Sequence, residues 1–165
     1  MKILVVSDTH RDFGALKLAF DQNSDADMLI HLGDGEKDFE DLSDIYPNFP
    51  MVYVGGNCDY GFHDLTHVVR TRCGVKLFCC HGHTLLVKSS LDLLTALASE
   101  EQCEIALYGH THVPFCDVVN GIYVMNPGST SLPRGQSKAS CGIIEISEID
   151  KNRVISMNIH ELYGK

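Results

Sequence analysis

Two histidines stand two apart in Tyr108-Gly109-His110-Thr111-His112, directly after the apolar run Ile105-Ala106-Leu107. Imidazole is the commonest nitrogen ligand for transition metals. The glycine before the pair lets the backbone come close to whatever the rings hold. Alone the pair says little, but four other short stretches carry similar chemistry: Asp8-Thr9-His10, Gly33-Asp34, Gly56-Asn57-Cys58-Asp59 and His81. Together they offer seven nitrogen or oxygen ligands: Asp8, His10, Asp34, Asn57, His81, His110 and His112. No cysteine thiolate is among them, so the set suits Mn²⁺, Fe, Zn²⁺, Ni²⁺ or Co²⁺ rather than Cu(I) or an iron–sulfur cluster. Seven are too many for one catalytic metal with open positions. They match two metals that share one carboxylate. Each member taken singly has a plainer reading: Asp8 could cap a helix, Asn57 and Asp59 could be turn residues, and a lone histidine is usually just a satisfied polar group.

These stretches share a position in the chain. Residues 2–7 form a continuous aliphatic run, the pattern of a strand buried on both faces. Runs at 28–32 and 51–54 repeat it, and amphipathic stretches at about 14–22 and 38–45 read as the helices between them. Strand, loop and helix therefore alternate as in an α/β fold, and ligand-type residues sit at the strand ends, where such folds place their sites. The second half reads as a hairpin over 67–71 and 75–80, a helix over about 90–99 and a strand ending at Tyr108. A second hairpin follows over 115–119 and 122–125 around Asn120-Gly121, then a strand pair over 141–146 and 154–160. No repeat or linker divides the chain, so residues 1–165 are expected to form one domain.

The bulk numbers exclude some partners. A net charge of −9 argues against broad binding of nucleic acid or anionic membrane, while leaving room for a phosphate ester beside bound cations. No apolar run reaches the roughly 18 residues of a membrane span, and the short N-terminal run reads as a first strand rather than a signal peptide. Seven cysteines, an odd number without CxxC spacing, argue against a disulfide framework or a zinc ribbon. Buried reduced thiols and a cytoplasmic location are expected instead.

The series Asp8-x-His10, Gly33-Asp34, Gly56-Asn57, His81 and Gly109-His110-Thr111-His112 resembles the calcineurin-like metallophosphoesterase superfamily. The Gly56-Asn57-Cys58-Asp59 form of the third motif, with Asn126-Pro127-Gly128-Ser129 and Pro133-Arg134, is similar to its compact bacterial and archaeal phosphodiesterase branch. The match runs over about residues 3–134. It implies an αββα sandwich of two mixed sheets flanked by helices. By the same resemblance Asp8, His10 and His112 hold one metal, Asn57, His81 and His110 hold a second, and Asp34 bridges them. Two divalent ions are implied, with manganese first and Fe, Zn, Ni or Co as alternatives.

The implied reaction is hydrolysis of a phosphodiester by a hydroxide held between the two metals, with Asp34, Asn57 and His81 at its centre. A small phosphoester is the expected substrate, and Arg11 and Arg134 are its candidate phosphate contacts or else solvated surface cations. Many superfamily members carry a histidine where this chain has Cys58, and a thiol is the poorer proton donor. Diesters or activated esters should therefore be easier than alkyl monoesters. Two other classes stay open: a phosphomonoesterase acting on a small molecule or phosphoprotein, and a non-catalytic scaffold of the same fold. The exposed edges of the late strands permit a homodimer.

Overall fold

The computed structural model describes residues 1–61, 63–149 and 152–162. Its elements run β1 (Lys2–Val6), α1 (Phe13–Gln22), β2 (Met28–His31), α2 (Glu36–Ile45), β3 (Met51–Tyr53), β4 (Thr66–Arg70), β5 (Lys76–Cys80), α3 (Asp92–Glu100), β6 (Ile105–Leu107), β7 (Phe115–Val119), β8 (Ile122–Asn126), β9 (Ser140–Ile149) and β10 (Asn152–Glu161). A single 3-10 turn, His83–Leu85, precedes α3.

The strands form two five-stranded sheets, ordered β10-β9-β1-β2-β3 and β4-β5-β6-β8-β7. In the first, β1, β2 and β3 are parallel, β9 runs antiparallel to β1, and β10 runs antiparallel to β9 at the edge. In the second, β5, β6 and β8 are parallel, and the antiparallel β4 and β7 lie at its edges.

Side-chain alternation builds three apolar layers from these strands. Ile3 and Val5 of β1 point inward and meet Ile30, Leu77, Ile105, Leu107 and Ile144 between the sheets. Leu4 and Val6 point outward under α1 and α2, against Leu16, Ala19, Phe20 and Leu42. Phe78, Cys80, Ala106 and Val124 of the second sheet pack outward on Leu94 and Ala98 of α3. The result is the expected αββα sandwich. It also explains why β1 reads as an unbroken aliphatic run: both of its faces are buried, at about 1.5–3 kcal/mol for each large side chain.

The expected elements are all present, with ends that move for local reasons. Helix α1 starts at Phe13 because the Asp12 side chain accepts the Ala15 N–H at 2.9 Å, an N-cap. Helix α2 starts at Glu36, two residues before its sequence pattern, because Asp59 accepts the N–H groups of Gly35 and Glu36 at 3.1 and 3.2 Å. A cap lent by a residue some 23 positions away cannot be read from local sequence. The final hairpin is longer than its apolar core suggests, because mainly polar residues, most of them exposed, extend both strands beyond 141–146 and 154–160.

Candidate metal centre

The C-terminal ends of β1, β2, β3, β5 and β6 converge on one edge of the sandwich. Loops from these ends bring the predicted ligands together. Asp8, His10 and His112 form one group, and Asp8, Asp34 and His81 another, with donor atoms inside each group within 4.8 Å of one another.

In the first group, His112 Nδ1 lies 2.6 Å from the Leu132 carbonyl. A carbonyl only accepts, so Nδ1 carries the hydrogen and a neutral ring leaves Nε2 with a bare lone pair. That Nε2 faces Asp8 Oδ1 at 3.1 Å and His10 Nε2 at 3.2 Å. Asp8 is fully buried, and its Oδ1 receives no hydrogen bond among the described residues. Its other oxygen accepts the Ser7 hydroxyl at 2.7 Å and the His110 N–H at 2.9 Å. Burial opposes the Asp8 charge, but the His112 and His81 imidazoles and the Ser7 hydroxyl hold its carboxyl below the usual range.

The second group repeats the design. His81 Nδ1 lies 2.7 Å from the Leu32 carbonyl, so its Nε2 is also free to coordinate. It faces Asn57 Oδ1 at 3.2 Å and Asp34 Oδ2 at 3.5 Å. Asp34 Oδ2 also lies 3.8 Å from His10 Nε2, so one carboxylate oxygen stands between the two groups. Its partner Oδ1 is fixed by the Cys58 N–H at 2.8 Å. Burial again opposes the charge, and His81 and Cys58 outweigh it, leaving the Asp34 carboxyl well below the ordinary range. The His110 ring lies 5.1 Å from that of His81, centroid to centroid. Lone pairs and carboxylate oxygens thus face one another with too few hydrogens to share. Burial disfavours charging His81 and His112, yet hydrogen bonds to Asp34 and Asp8 raise both rings above their ordinary value. The cluster attracts positive charge, and its all nitrogen-and-oxygen donor set fits divalent transition metals.

The backbone is strained where these side chains leave it. Asp8, His10, Asp34, His110 and His112 all adopt left-handed φ between 46° and 67°. Such conformations cost non-glycine residues roughly 1–3 kcal/mol each and persist only where the surroundings impose them. Three devices impose them here. Asn126 Nδ2 donates to the Gly109 carbonyl at 2.8 Å and the Thr111 hydroxyl at 2.9 Å. Ser129 and Ser131 hydroxyls donate to the Asp8 carbonyl at 2.7 and 3.1 Å, and Ser131 also to that of Thr9. The third device is Asp59. Its Oδ2 accepts Tyr53 O–H, Gly56 N–H and Asp34 N–H at 2.6, 2.7 and 3.0 Å, and its Oδ1 caps α2. Gly109 sits where a Cβ would lie 2.0 Å from Ser7 Oγ, so the loop carrying His110 and His112 can reach Asp8 only with glycine there.

The structure brings all seven predicted ligands to this edge. Arg11 stands exposed on the rim of an adjoining cavity of about 360 Å³, bordered by His10, Asp34 and Cys58. Arg134 is exposed beside the His112 loop, its N–H on the His112 carbonyl at 3.1 Å, and does not line that cavity. Cys58 departs from expectation. It is exposed rather than buried, because the turn that fixes Asp59 inward turns its neighbour outward. Partial burial of its sulfur and the Asp34 carboxylate push its thiol up to about 11, so it stands neutral at pH 7. Cys79, Cys80, Cys103 and Cys141 are buried, Cys73 and Cys116 are exposed, and all seven thiols are free. Among the described residues no helix is long and apolar enough to cross a membrane.

Residues that sequence reasoning left in the background support the site. Asp59 proves to be a hub rather than a solvated turn residue. The partly exposed His83 ring lies 5.4 Å from His81 and 6.2 Å from His110. His31, fully buried, accepts the Gly33 N–H on Nδ1 at 3.2 Å, and its Nε2 meets the Thr9 hydroxyl at 3.4 Å. Burial lowers its pKa to about 4. Followed by NMR, the His31 ring should therefore titrate near 4 instead of about 6.5. The folded pKa is depressed, so this contribution is complete above about pH 6.5 and is lost as pH falls toward 4, to the extent of about 3 kcal/mol. A midpoint near 6.5 would refute this.

The calcineurin-like phosphoesterase superfamily domain matches residues 1–149. A probable metallophosphoesterase of Methanocaldococcus jannaschii is 34% identical over 154 residues, 92% of this chain and 78% of that protein. The phosphodiesterase YfcE of Escherichia coli is 29% identical over 170 residues, 88% of each chain. A predicted phosphoesterase of Streptococcus pneumoniae superposes with a TM-score of 0.82 at 28% identity, covering 98% of this chain and 92% of that one. With the motif order, the two-sheet sandwich and a cluster built to hold cations all in agreement, the chain belongs to the calcineurin-like phosphoesterase superfamily and is a metal-dependent phosphoester hydrolase.

Proposed function

We propose that the protein is a dinuclear metal-dependent phosphodiesterase. Asp8, His10 and His112 hold one divalent ion, Asn57, His81 and His110 hold the other, and Asp34 bridges. The observation that carries this reading is Asp34 Oδ2, within 3.8 Å of His10 Nε2 and 3.5 Å of His81 Nε2. When bound, such a pair of ions neutralises the phosphoryl oxygens and activates water. Manganese is the first choice, with Fe, Zn, Ni or Co also suited to the donors.

The chain's own residues perform the rest. Leu32 and Leu132 carbonyls hold His81 and His112 in the coordinating tautomer. Asn57 adds an uncharged oxygen, which leaves the site more positive toward an anionic ester than another aspartate would. Arg11, on the cavity rim, is the first candidate to contact a substrate phosphate, and Arg134, beside the His112 loop but outside that cavity, is the second. Cys58 stands where a proton donor to the leaving group would be useful, and its neutral thiol with a pKa raised to about 11 is a weak acid. Good leaving groups, and diesters ahead of alkyl monoesters, are favoured in consequence.

With Mn²⁺ added, bis(p-nitrophenyl) phosphate should be turned over with a kcat/KM at least about tenfold above that of p-nitrophenyl phosphate, and chelation should abolish both rates. The reverse preference would make the protein a monoesterase. Metal binding without turnover of either ester would favour a scaffold.

A further inference from the structure

Resting on the phosphodiesterase reading, we propose that Tyr60 is an aromatic platform at the mouth of the metal-site cavity, and that with Arg11 it selects small phosphodiesters bearing a nucleobase. Tyr60 lines the same cavity as His10, Asp34 and Cys58, and the residue is 87% exposed. An aromatic ring in water is ordinarily the sign of a loose loop that fails to pack. This one stands on a pinned backbone. On one side, Asp59 is held by Tyr53 O–H and by four backbone N–H groups. On the other, Glu36 Oε2 accepts the N–H groups of Tyr60 and Gly61 at 3.1 and 3.2 Å, while its Oε1 contacts His63 Nε2 at 2.7 Å. Two carboxylates thus fix the chain on either side of a largely exposed aromatic residue. A rigid aromatic with only two side-chain torsions costs little entropy when a flat ligand stacks on it.

The charge around it restricts the ligand. Arg11 lies on the same rim, is exposed, adopts a left-handed φ of 66°, and among the described residues forms no salt bridge. It can meet an anion without breaking an existing pair. Lys37, also on this rim, is already 2.8 Å from Asp41. The rim also carries Glu36, Asp38 and Asp59, whose carboxylates are turned to backbone N–H groups or to the Thr9 hydroxyl. Among the described residues of the rim, the unpaired Arg11 beside the aromatic ring therefore suits a phosphate with a flat group attached. The volume of about 360 Å³ holds a ligand of nucleotide size. A net charge of −9 disfavours the polymer, since a long polyanion would meet a repelling surface.

The test compares adenosine 5′-monophosphate with ribose 5-phosphate on the Mn²⁺-loaded protein by titration calorimetry. The two ligands share a phosphate and a sugar and differ by the base. Wild-type protein should bind the nucleotide about tenfold tighter, the size expected of one stacked base. Tyr60→Phe should keep that ratio, and Tyr60→Ala should bring it to about one. Arg11→Gln should weaken both ligands together and leave the ratio intact. Equal affinities in the wild type, or a ratio unmoved in Tyr60→Ala, would overturn the proposal. Because Tyr60 is largely exposed, a folding defect does not confuse the result, and circular dichroism of each variant checks this. Calorimetry needs no turnover, so failure of the platform is read separately from failure of the diesterase reading, which the bis(p-nitrophenyl) phosphate assay reports.

Discussion

Asp34→Asn should leave the fold in place and remove at least about 1,000-fold of the activity, near 4 kcal/mol of transition-state stabilisation. The side chain keeps its shape, and its oxygen can still accept the Cys58 N–H. What it loses is the anionic oxygen that faces both His10 and His81. An amide turned that way would present a hydrogen to the bare His81 nitrogen and could satisfy it without any metal. Metal content should accordingly fall from two ions per chain to one or fewer, measured by elemental analysis after gel filtration. A variant that retained two ions and full turnover would end the bridging assignment. Conservation of secondary structure by circular dichroism would show that the loss is local.

Asp59→Ala should lower stability by about 3–5 kcal/mol and weaken metal binding about 10- to 100-fold without touching a metal. The carboxylate accepts five hydrogen bonds, from Tyr53 O–H and the N–H groups of Asp34, Gly35, Glu36 and Gly56. Removing it strands donors in a region that is only partly open to water, and it frees both the Asp34 turn and the Gly56-Asn57 turn. Burial works against its charge, but Tyr53 and the backbone donors hold its carboxyl below the usual range. Its contribution should be present above about pH 4 and fade as pH falls through its folded value. Urea unfolding of the metal-free variant at pH 7, beside an Mn²⁺ titration, measures both effects. A midpoint and an affinity close to wild type would return Asp59 to the status of an ordinary turn residue.

Much of this was legible in the sequence because its signals are local. Unbroken runs such as Ile3-Leu4-Val5-Val6 follow from burial on both faces. Ligand-type residues fall at strand ends because parallel strands end at one edge, so Asp8, Asp34, Asn57, His81, His110 and His112 belong together by their place in the chain alone. The assignment of each ligand to one metal or the other came from the resemblance.

Tertiary structure decided the rest, because these features depend on groups far apart in the chain. The left-handed φ of Asp8 is held by Ser129, more than a hundred residues away, and the His112 ring is oriented by the Leu132 carbonyl, 20 residues away. The start of α2 and the shape of the Asp34 turn depend on Asp59, whose own sequence context reads as a plain turn. The outward position of Cys58 follows from that inward anchor. The sequence determined which donors the chain owns and that they sit where a site can form. Only the packing of two sheets decided which lone pairs face each other, since orientation is set by hydrogen bonds between strand-end loops that no local pattern encodes.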